Sequence, residues 1–510
     1  MVWARHWLSG LGSLVASTLL FAGNTNSASA VSLVNTLTIP GGNTDLFPTS
    51  GNSANVNRLG LFSDLYYDRY NNVYYSLADR GPGGGVIAYQ TRVQKFSLDV
   101  NPTTGAIGNF NLLETILLTK DGSSFNGLNP RLLNGNAATL GLSLDPEGFA
   151  VAANGNFYIS DEYGPSVYEF SPNGSFIRAF QTPNNLLARD SSGNLNYVDN
   201  RNTITSGRQD NRGFEGLTLS PDGSKLYTLL QDPLVNEGAS NDGRRSRNLR
   251  MVEFDTATGQ STAQYIYQVE ALADINARIP GTANDFAATS QGRNIGISAI
   301  TALNNNEFLV LERDNRGLGE ADPTAIAPVG SKRVYKINLA GATNVSNISL
   351  AGTNSLPTGV TAVSKSLFLD IADILKTTGQ IIPEKMEGLA IGPQLADGSY
   401  AILIGTDNDF SVTQGLVGEQ LDVCTNGTNS TLVPIDSGCP AGQPLIPTYL
   451  YSFKVSSAEL GNFVPPEKVP EPTATAGLVL LGLSGFWLKR RRKPIPAHGI
   501  ATQTKPACAG

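Results

Sequence analysis

The chain has 510 residues, with 36 Lys and Arg against 43 Asp and Glu, and its formal net charge is −7. An acidic chain repels the phosphates of nucleic acids and suits hard cations, so a nucleic-acid partner is excluded. Both histidines (His6, His498) and all three tryptophans (Trp3, Trp7, Trp487) lie near the ends of the sequence. The interior therefore cannot build a Ser-His-Asp or Cys-His mechanism, or a His-containing zinc site.

The first 30 residues have the pattern of a secretory signal peptide. Arg5 precedes an apolar run at 8–22, and Ala-Ser-Ala at 28–30 provides a cleavage site. The apolar run is short for a bilayer span of about 20 residues, which disfavours the alternative of an uncleaved membrane anchor. The sequence predicts an exported protein that loses residues 1–30.

One unit, LDPEGFAVAANGNFYISDEYG at residues 144–164, is repeated along the chain. Alternating apolar runs at 149–151 and 157–159 flank Asn154-Gly155, which is a strong β-hairpin signal. Glu147-Gly148 begins this predicted hairpin, and Asp161 follows its second strand.

Five copies of this unit, two of them degenerate, begin near residues 64, 147, 215, 299 and 387. Each copy is followed by a further predicted strand, at 93–96, 167–170, 251–254, 334–337 and 450–453. Units that cannot bury their own apolar faces must stack on neighbours, and four-stranded units arranged radially make a β-propeller. We therefore predict an all-β fold, a β-propeller of about five to seven four-stranded blades. Long insertions at 184–212 and 236–250 leave the blades, and an edge strand at 33–39 joins the last blade and closes the ring.

The C-terminal part contains Pro-Glu-Pro at 470–472, an apolar stretch at 476–488 and the basic cluster KRRRK at 489–493. These features closely resemble the PEP-CTERM sorting segment of exported bacterial proteins, although the chain departs from that pattern by continuing to residue 510. The resemblance implies a short helix in the inner membrane before processing, recognition by the sorting machinery, and a cell-envelope or extracellular location with polysaccharide nearby. The predicted division is a signal peptide at 1–30, a propeller at 31–465, a sorting segment at 466–493 and an unassigned tail at 494–510.

Acidic residues dominate the part between the two targeting segments. Residues 31–470 contain 29 Lys and Arg and 42 Asp and Glu, so their net charge is 29 minus 42, or −13. Equivalent positions of successive blades converge on the axis, so we predict that Glu147, Glu215 and Glu387 meet at the channel mouth as catalytic carboxylates. The predicted ligands of a bound Ca²⁺, which takes six to eight oxygens, are Asp64, Glu147, Asp161, Glu162, Glu215, Glu312, Glu387, Asp407 and Asp409. The alternative is structural, with each glycine supplying a positive φ and each glutamate accepting backbone N–H groups.

Four cations stand beside these acids and are predicted to bind the substrate: Arg80, Arg212, Arg313 and Lys385. Guanidinium groups can hold a phosphate or carboxylate through two hydrogen bonds, but ordinary ion pairs explain the same pattern. Cys424 and Cys439 are the only cysteines between residues 31 and 470. In an oxidising compartment this pair predicts a disulfide.

The combination of DPEGF with SDEYGP, RGFEGLTLSPDG, and MEGLAI with TDNDF resembles the phytase-like family described by "esterase-like activity of phytase", over roughly residues 58–455. The resemblance implies a propeller that hydrolyses phosphate or other esters, here through a carboxylate-bound cation and a small-molecule ester substrate. Two alternatives remain open. One is a calcium-dependent sugar lactonase, and the other is a non-catalytic propeller of the cell envelope that binds polysaccharide or calcium.

Overall fold

The protein is described by a computed structural model that covers residues 31–47, 54–198, 203–415 and 418–466. Most of its strands lie in five four-stranded antiparallel sheets. Sheet 1 contains Asp64–Asp68, Val73–Leu77, Arg92–Val100 and Ile107–Leu117. Sheet 2 contains Pro146–Val151, Phe157–Asp161, Ser166–Phe170 and Phe176–Ala179. Sheet 3 contains Phe214–Leu219, Lys225–Leu230, Asn248–Asp255 and Ser261–Gln268.

Sheets 4 and 5 complete the set. Sheet 4 contains Ile295–Ala302, Glu307–Asp314, Lys332–Asn338 and Ser364–Asp370. Sheet 5 contains Met386–Gln394, Tyr400–Thr406, Thr448–Val455 and Ser32–Ile39. The first-named strand of each sheet contacts the first-named strands of the two neighbouring sheets, and sheet 5 contacts sheet 1. These five inner strands therefore form a closed ring, and the predicted fold class, a β-propeller of four-stranded sheets, is confirmed.

The ring is closed by a strand from the beginning of the described chain. Ser32–Ile39 pairs antiparallel with Thr448–Val455, so that Leu37 lies opposite Leu450. This pairing covers an edge of sheet 5 that would otherwise present unpaired N–H and C=O groups. The prediction of a closing strand at 33–39 is confirmed.

The repeated hairpin also forms as predicted. In sheet 2, Phe149 lies opposite Ile159, and the connecting turn places Gly155 at a φ of 85°. The further strand predicted after each repeat is the third strand of its sheet.

The apolar core fills the spaces between neighbouring sheets. Buried Leu229 of sheet 3 and Val310 of sheet 4 belong to one cluster, for example, and Leu311 of sheet 4 and Ile402 of sheet 5 belong to another. Similar clusters lie between sheets 5 and 1, 1 and 2, and 2 and 3. Each sheet therefore depends on its neighbours to bury its two faces, which explains why the repeats fold as a ring.

Smaller elements lie in the connections. A three-stranded sheet contains Val412–Gln414, Gln420–Thr425 and Ser430–Pro434, and a two-stranded ribbon contains Thr119–Lys120 and Ser123–Ser124. The α-helices are Pro130–Leu133, Leu272–Asn276, Gln291–Asn294, Ile371–Thr377 and Ser457–Leu460. The 3-10 helices are Ala54–Asn57, Ala239–Asn241, Gly243–Arg245, Ala288–Ser290 and Asp409–Ser411. Cys424 and Cys439 form the predicted disulfide, with their Cα atoms 5.6 Å apart.

The predicted targeting segments are at the two ends of the sequence. The signal peptide at 1–30, the sorting segment beyond residue 466 and the tail at 494–510 lie outside the described residues. Among the helices that are described, none has the length and apolar character needed to cross a bilayer.

Candidate active site

Each predicted catalytic glutamate lies at a β-bulge in the inner strand of its sheet. The pairing register shifts around Glu147 in sheet 2, Glu215 in sheet 3 and Glu387 in sheet 5. Sheet 4 has the same irregularity, with Ser298 at the shifted position. A bulge bends its strand and re-aims a side chain that regular alternation would place on a sheet face. The bulges thus explain how three residues of otherwise buried strands reach one shared space.

The glycine after each glutamate is required by the neighbouring sheet. A Cβ on Gly148 would lie 2.6 Å from the carbonyl oxygen of Glu215, and one on Gly216 would lie 2.5 Å from the backbone nitrogen of Ile300. A Cβ on Gly388 would meet a side chain of sheet 1 at 3.0 Å. None of these three glycines has a positive φ. The expectation of a positive φ is therefore wrong, because the close approach of the next inner strand explains the glycine.

The glutamates line a cavity of about 260 Å³. Its acidic lining residues are Asp79, Glu147, Glu162, Glu215, Asp232, Glu320, Glu384, Glu387 and Asp409. Its cationic lining residues are Arg80, Arg212, Arg293, Arg313 and Lys385. The cavity thus brings together all three predicted catalytic residues and all four predicted substrate-binding cations.

Two predicted metal ligands, Asp64 and Asp161, lie outside this lining and accept hydrogen bonds from the backbone. The carboxylate of Asp64 accepts the backbone N–H of Phe149 at 2.7 Å, which links sheet 1 to sheet 2. Asp161 accepts three backbone N–H groups, from residues 145, 163 and 164, at 2.9, 3.2 and 3.1 Å. These carboxylates hold strands and turns in place beside the cavity.

The other two predicted ligands outside the lining also have protein partners. Glu312 accepts the hydroxyl of Tyr267 at 3.0 Å and an N–H of the Lys365 ammonium group. Asp407 accepts the backbone N–H of Asp409 at 2.9 Å. The structure therefore brings five of the nine predicted ligands to the cavity: Glu147, Glu162, Glu215, Glu387 and Asp409.

All four predicted substrate-binding cations form ion pairs. Arg313 pairs with Glu387, and Arg212 lies 3.3 Å from Asp232 and 3.7 Å from Glu162.

Arg80 and Lys385 also form ion pairs with acids of the protein. Arg80 lies 3.4 Å from Asp145, and the Lys385 ammonium group lies 2.5 Å from Asp409 and 3.8 Å from Asp79. Burial alone lowers the pKa of Lys385, but the neighbouring carboxylates, Asp409 first, raise it well above its usual range. These cations neutralise acids of the protein, as expected of ordinary ion pairs.

Asp79 and Asp145, which were not predicted as ligands, form an acidic group with Glu147. Carboxylate oxygens of Asp79, Asp145 and Glu147 lie within 4.8 Å of one another, and all three residues are buried. A second group combines Asp79 with Asp407 and Asp409, and the Lys385 ammonium group lies against all three. The sequence does hold a signal for Asp79, because it follows a strand as Asp161 does. Asp145 follows no strand, and only the approach of sheet 1 to sheet 2 identifies it.

A family model described as "Phytase-like: Esterase-like activity of phytase" matches residues 57–410, which is more than half of the chain. The chain belongs to this phytase-like family. A curated relative, an "Uncharacterized secreted protein" of Arthroderma benhamiae, is 31% identical over 293 residues, covering 48% of this chain and 55% of the relative. The phytase-like chain therefore spans about half the length of that relative.

Solved structures also align with the phytase-like chain, at low similarity. A calcium-binding protein, regucalcin, from Agrobacterium tumefaciens is 10% identical, with 74% of this chain and 85% of that chain covered and a TM-score of 0.29. Hydrazine synthase of Kuenenia stuttgartiensis is 11% identical, with 74% and 96% covered and a TM-score of 0.27. At these values neither alignment bears on function.

The phytase-like cavity disfavours ionised carboxylates unless a cation is present. Burial, and then the proximity of Glu215 and Asp145, raises the pKa of Glu147 well above its usual range. Burial and the neighbouring Glu162 and Glu387 do the same for Glu215. Burial raises the pKa of Asp79 to about 6 although Lys385 opposes it. Such a cluster must either hold protons or bind a positive charge.

The surroundings of the Glu215 side chain favour a bound positive charge over a held proton. It is 1% exposed, and its Oε1 accepts a hydrogen bond from Gln231. Its Oε2 has no hydrogen-bond partner among the described residues. A buried carboxylate oxygen without a donor is costly, and a hard cation removes that cost. The donor set, all carboxylate oxygens, fits a hard divalent cation, whose remaining ligands would be supplied by water or substrate.

Proposed function

We propose that this phytase-like protein hydrolyses esters, including phosphate monoesters, with a divalent cation, calcium by preference, held in the acidic cavity. The observation that carries the proposal is that Glu215 lines the cavity and that its buried Oε2 atom lacks a donor in the described structure. The cluster of Asp79, Asp145 and Glu147 supplies further carboxylate oxygens. The description of the family supports ester hydrolysis as the reaction.

The acids in and beside the cavity have different proposed roles. Asp79, Asp145 and Glu147 would hold the cation. Glu215, which lines the cavity, would attract the cation through its charge and act as the base for the attacking water. A bound divalent cation neutralises the oxygens of the ester and lowers the pKa of water. Arg313 already neutralises Glu387, so that glutamate holds the guanidinium in place at the cavity wall. This chemistry needs no histidine, in agreement with the composition.

Calcium calorimetry on the purified exported protein tests the proposal, with Glu215→Gln as the variant. The substitution preserves shape and removes the charge, so we expect calcium affinity to fall about tenfold or more. Glu114→Gln is the matched control, because the Glu114 side chain is 55% exposed on sheet 1 and lies outside the cavity lining. Calcium-dependent turnover of chromogenic phosphate and carboxylate esters should be lost in the same variant.

The outcomes separate the candidate functions. Unchanged calcium affinity in Glu215→Gln would contradict a cation at this site. Calcium binding that responds to the substitution, without turnover of any ester, would leave the non-catalytic, calcium-binding propeller as the function. Turnover of lactones in preference to other esters would identify the lactonase alternative.

We also propose that the protein is exported to the cell envelope or beyond it. The relative from Arthroderma benhamiae, whose name calls it secreted, and the Cys424–Cys439 disulfide support export. The sorting segment and its association with polysaccharide rest on the C-terminal pattern alone. Cell fractionation with mass spectrometry of both termini tests these assignments, and an intact protein in the cytoplasm would contradict them.

A further inference from the structure

One guanidinium in the cavity lining, that of Arg293, has no acid within ion-pair distance in the described part of the chain. Arg293 lies in the last turn of the short helix Gln291–Asn294, directly before the inner strand Ile295–Ala302 of sheet 4. Its side chain is exposed, which places it at the rim of the cavity. The described residues offer this guanidinium no hydrogen bond and no ion pair.

The lack of an ion pair in the described structure distinguishes Arg293 from the other cations of the lining. Each of the others has a carboxylate within ion-pair distance, as the pairs Arg80–Asp145, Arg212–Asp232, Arg313–Glu387 and Lys385–Asp409 show. An incoming anion could capture any of those cations only by displacing an acid of the protein. Arg293 can bind an anion without that cost, and guanidinium groups bind phosphate and carboxylate oxygens with two hydrogen bonds.

The charge of the lining determines when an anion can enter. The cavity has five cationic and nine acidic residues, so its formal charge is five minus nine, or −4. An anion approaching Arg293 is therefore repelled by the acids behind it. A divalent cation among those acids halves the excess negative charge and makes anion binding at the rim more favourable.

We propose that Arg293 binds the anionic group of the substrate, and that it does so after the cation has bound. Arg293 is then a specificity residue that selects esters carrying an oxyanion over neutral esters. Asn294 and Asn315 also line the cavity, and the backbone N–H of Asn315 donates to the carbonyl oxygen of Asn294 at 3.1 Å. The inference rests on the proposed cation site of the cavity.

The test measures binding of phenylphosphonate, a non-hydrolysable analogue of a phosphate monoester, by calorimetry on the full-length protein with and without saturating calcium. We expect binding to the calcium-loaded protein, about tenfold weaker binding to Arg293→Gln, and no binding without calcium. Arg131→Gln is the matched control, because Arg131 is exposed on the helix Pro130–Leu133 and does not line the cavity. Its affinity should equal that of the unsubstituted protein.

A kinetic measurement provides a second readout. Arg293→Gln should raise KM for an anionic ester with little change in kcat, and should leave KM for a neutral ester unchanged. Arg293→Lys should recover part of the loss because it keeps the charge.

Different results would overturn the role of Arg293 and the proposed cation site. Calcium binding with phenylphosphonate affinity that is equal in Arg293→Gln would overturn the role of Arg293 alone. Phenylphosphonate affinity that is equal with and without calcium would overturn the dependence of anion binding on the cation. A protein that binds no calcium would overturn both proposals.

Discussion

Arg313 of sheet 4 donates a hydrogen bond to the carboxylate of Glu387 on the inner strand of sheet 5. The Arg313 side chain is 11% exposed and that of Glu387 is 4% exposed. The Nε atom of the same guanidinium donates to the hydroxyl of Ser298 at 2.9 Å, at the bulge of sheet 4. One ion pair thus joins two sheets at the wall of the candidate active site.

Removing one partner of this pair should destabilise the ring. Arg313→Met leaves the buried Glu387 carboxylate unpaired, so we expect the free energy of unfolding to fall by about 3 kcal/mol. The double variant with Glu387→Met should recover part of the loss, because no charge then remains buried. Urea denaturation measures both. The exposed pair of Lys95 and Glu114 is the control, and Lys95→Met should have no measurable effect. Equal losses of unfolding free energy in Arg313→Met and Lys95→Met would contradict this account.

Asp161 should matter for folding more than for calcium binding. Asp161→Ala leaves three backbone N–H groups without their acceptor, so the free energy of unfolding should fall by about 2 kcal/mol or more. Asp161→Asn keeps one acceptor oxygen and should lose less. Glu215→Gln should show the opposite pattern, with weaker calcium binding and little loss of stability. The account fails if Asp161→Ala lowers calcium affinity without changing the denaturation midpoint.

The same aspartate should make stability depend on pH. Burial raises the pKa of Asp161 from 3.8 to about 7, although three backbone N–H groups oppose the shift. Between these values the folded protein keeps a proton that the unfolded chain has released, so stability falls as the pH rises from about 4 to about 7. Urea midpoints of the calcium-free protein should show this fall, with a smaller slope in Asp161→Asn. Part of the slope will remain because burial also raises the pKa of Glu147 and Glu215. An unchanged slope would assign the pH dependence to other groups.

The disulfide should stabilise the small three-stranded sheet beside the cavity. Cys424 lies in its middle strand, and the sequence separation from Cys439 is 15 residues. Closing a loop of this length restricts the unfolded chain, so the Cys424→Ser and Cys439→Ser double variant should lose about 3 kcal/mol. The bidentate pair between Arg58 and Asp422 holds the same sheet and should keep it folded at low temperature. Limited proteolysis should then show faster cleavage between residues 426 and 443, and equal cleavage rates would contradict the prediction.

The architecture was predictable because its signals are local. Asn154-Gly155 between two alternating runs indicates a hairpin wherever it stands, and its recurrence indicates a ring. The positions of Glu147, Glu215 and Glu387 relative to their hairpins were enough to place them on inner strands. Three copies keep Glu-Gly at the start of the hairpin, and their spacing was enough to align the two degenerate copies with them.

Which acids line the cavity and which accept backbone N–H groups was not predictable, because this depends on neighbours distant in sequence. Asp161 and Glu147 are both carboxylates at the ends of strands, yet backbone N–H groups surround only Asp161. Arg313 meets a glutamate 74 residues away, on another sheet. Arg293 carried no motif, and its importance appears only when the pairs of the other cations are known.

The strand that closes the ring has a consequence for how the protein is made. Ser32–Ile39 leaves the ribosome before every other described strand, whereas its partner Thr448–Val455 is the last strand of sheet 5 to appear. The first strand therefore has no pairing partner until more than 400 further residues have been synthesised. Contacts this distant form slowly, and an unpaired strand can add to foreign sheets in the meantime. Folding of the ring therefore finishes only when nearly the whole propeller has been delivered, and until then the growing chain depends on its surroundings to prevent association.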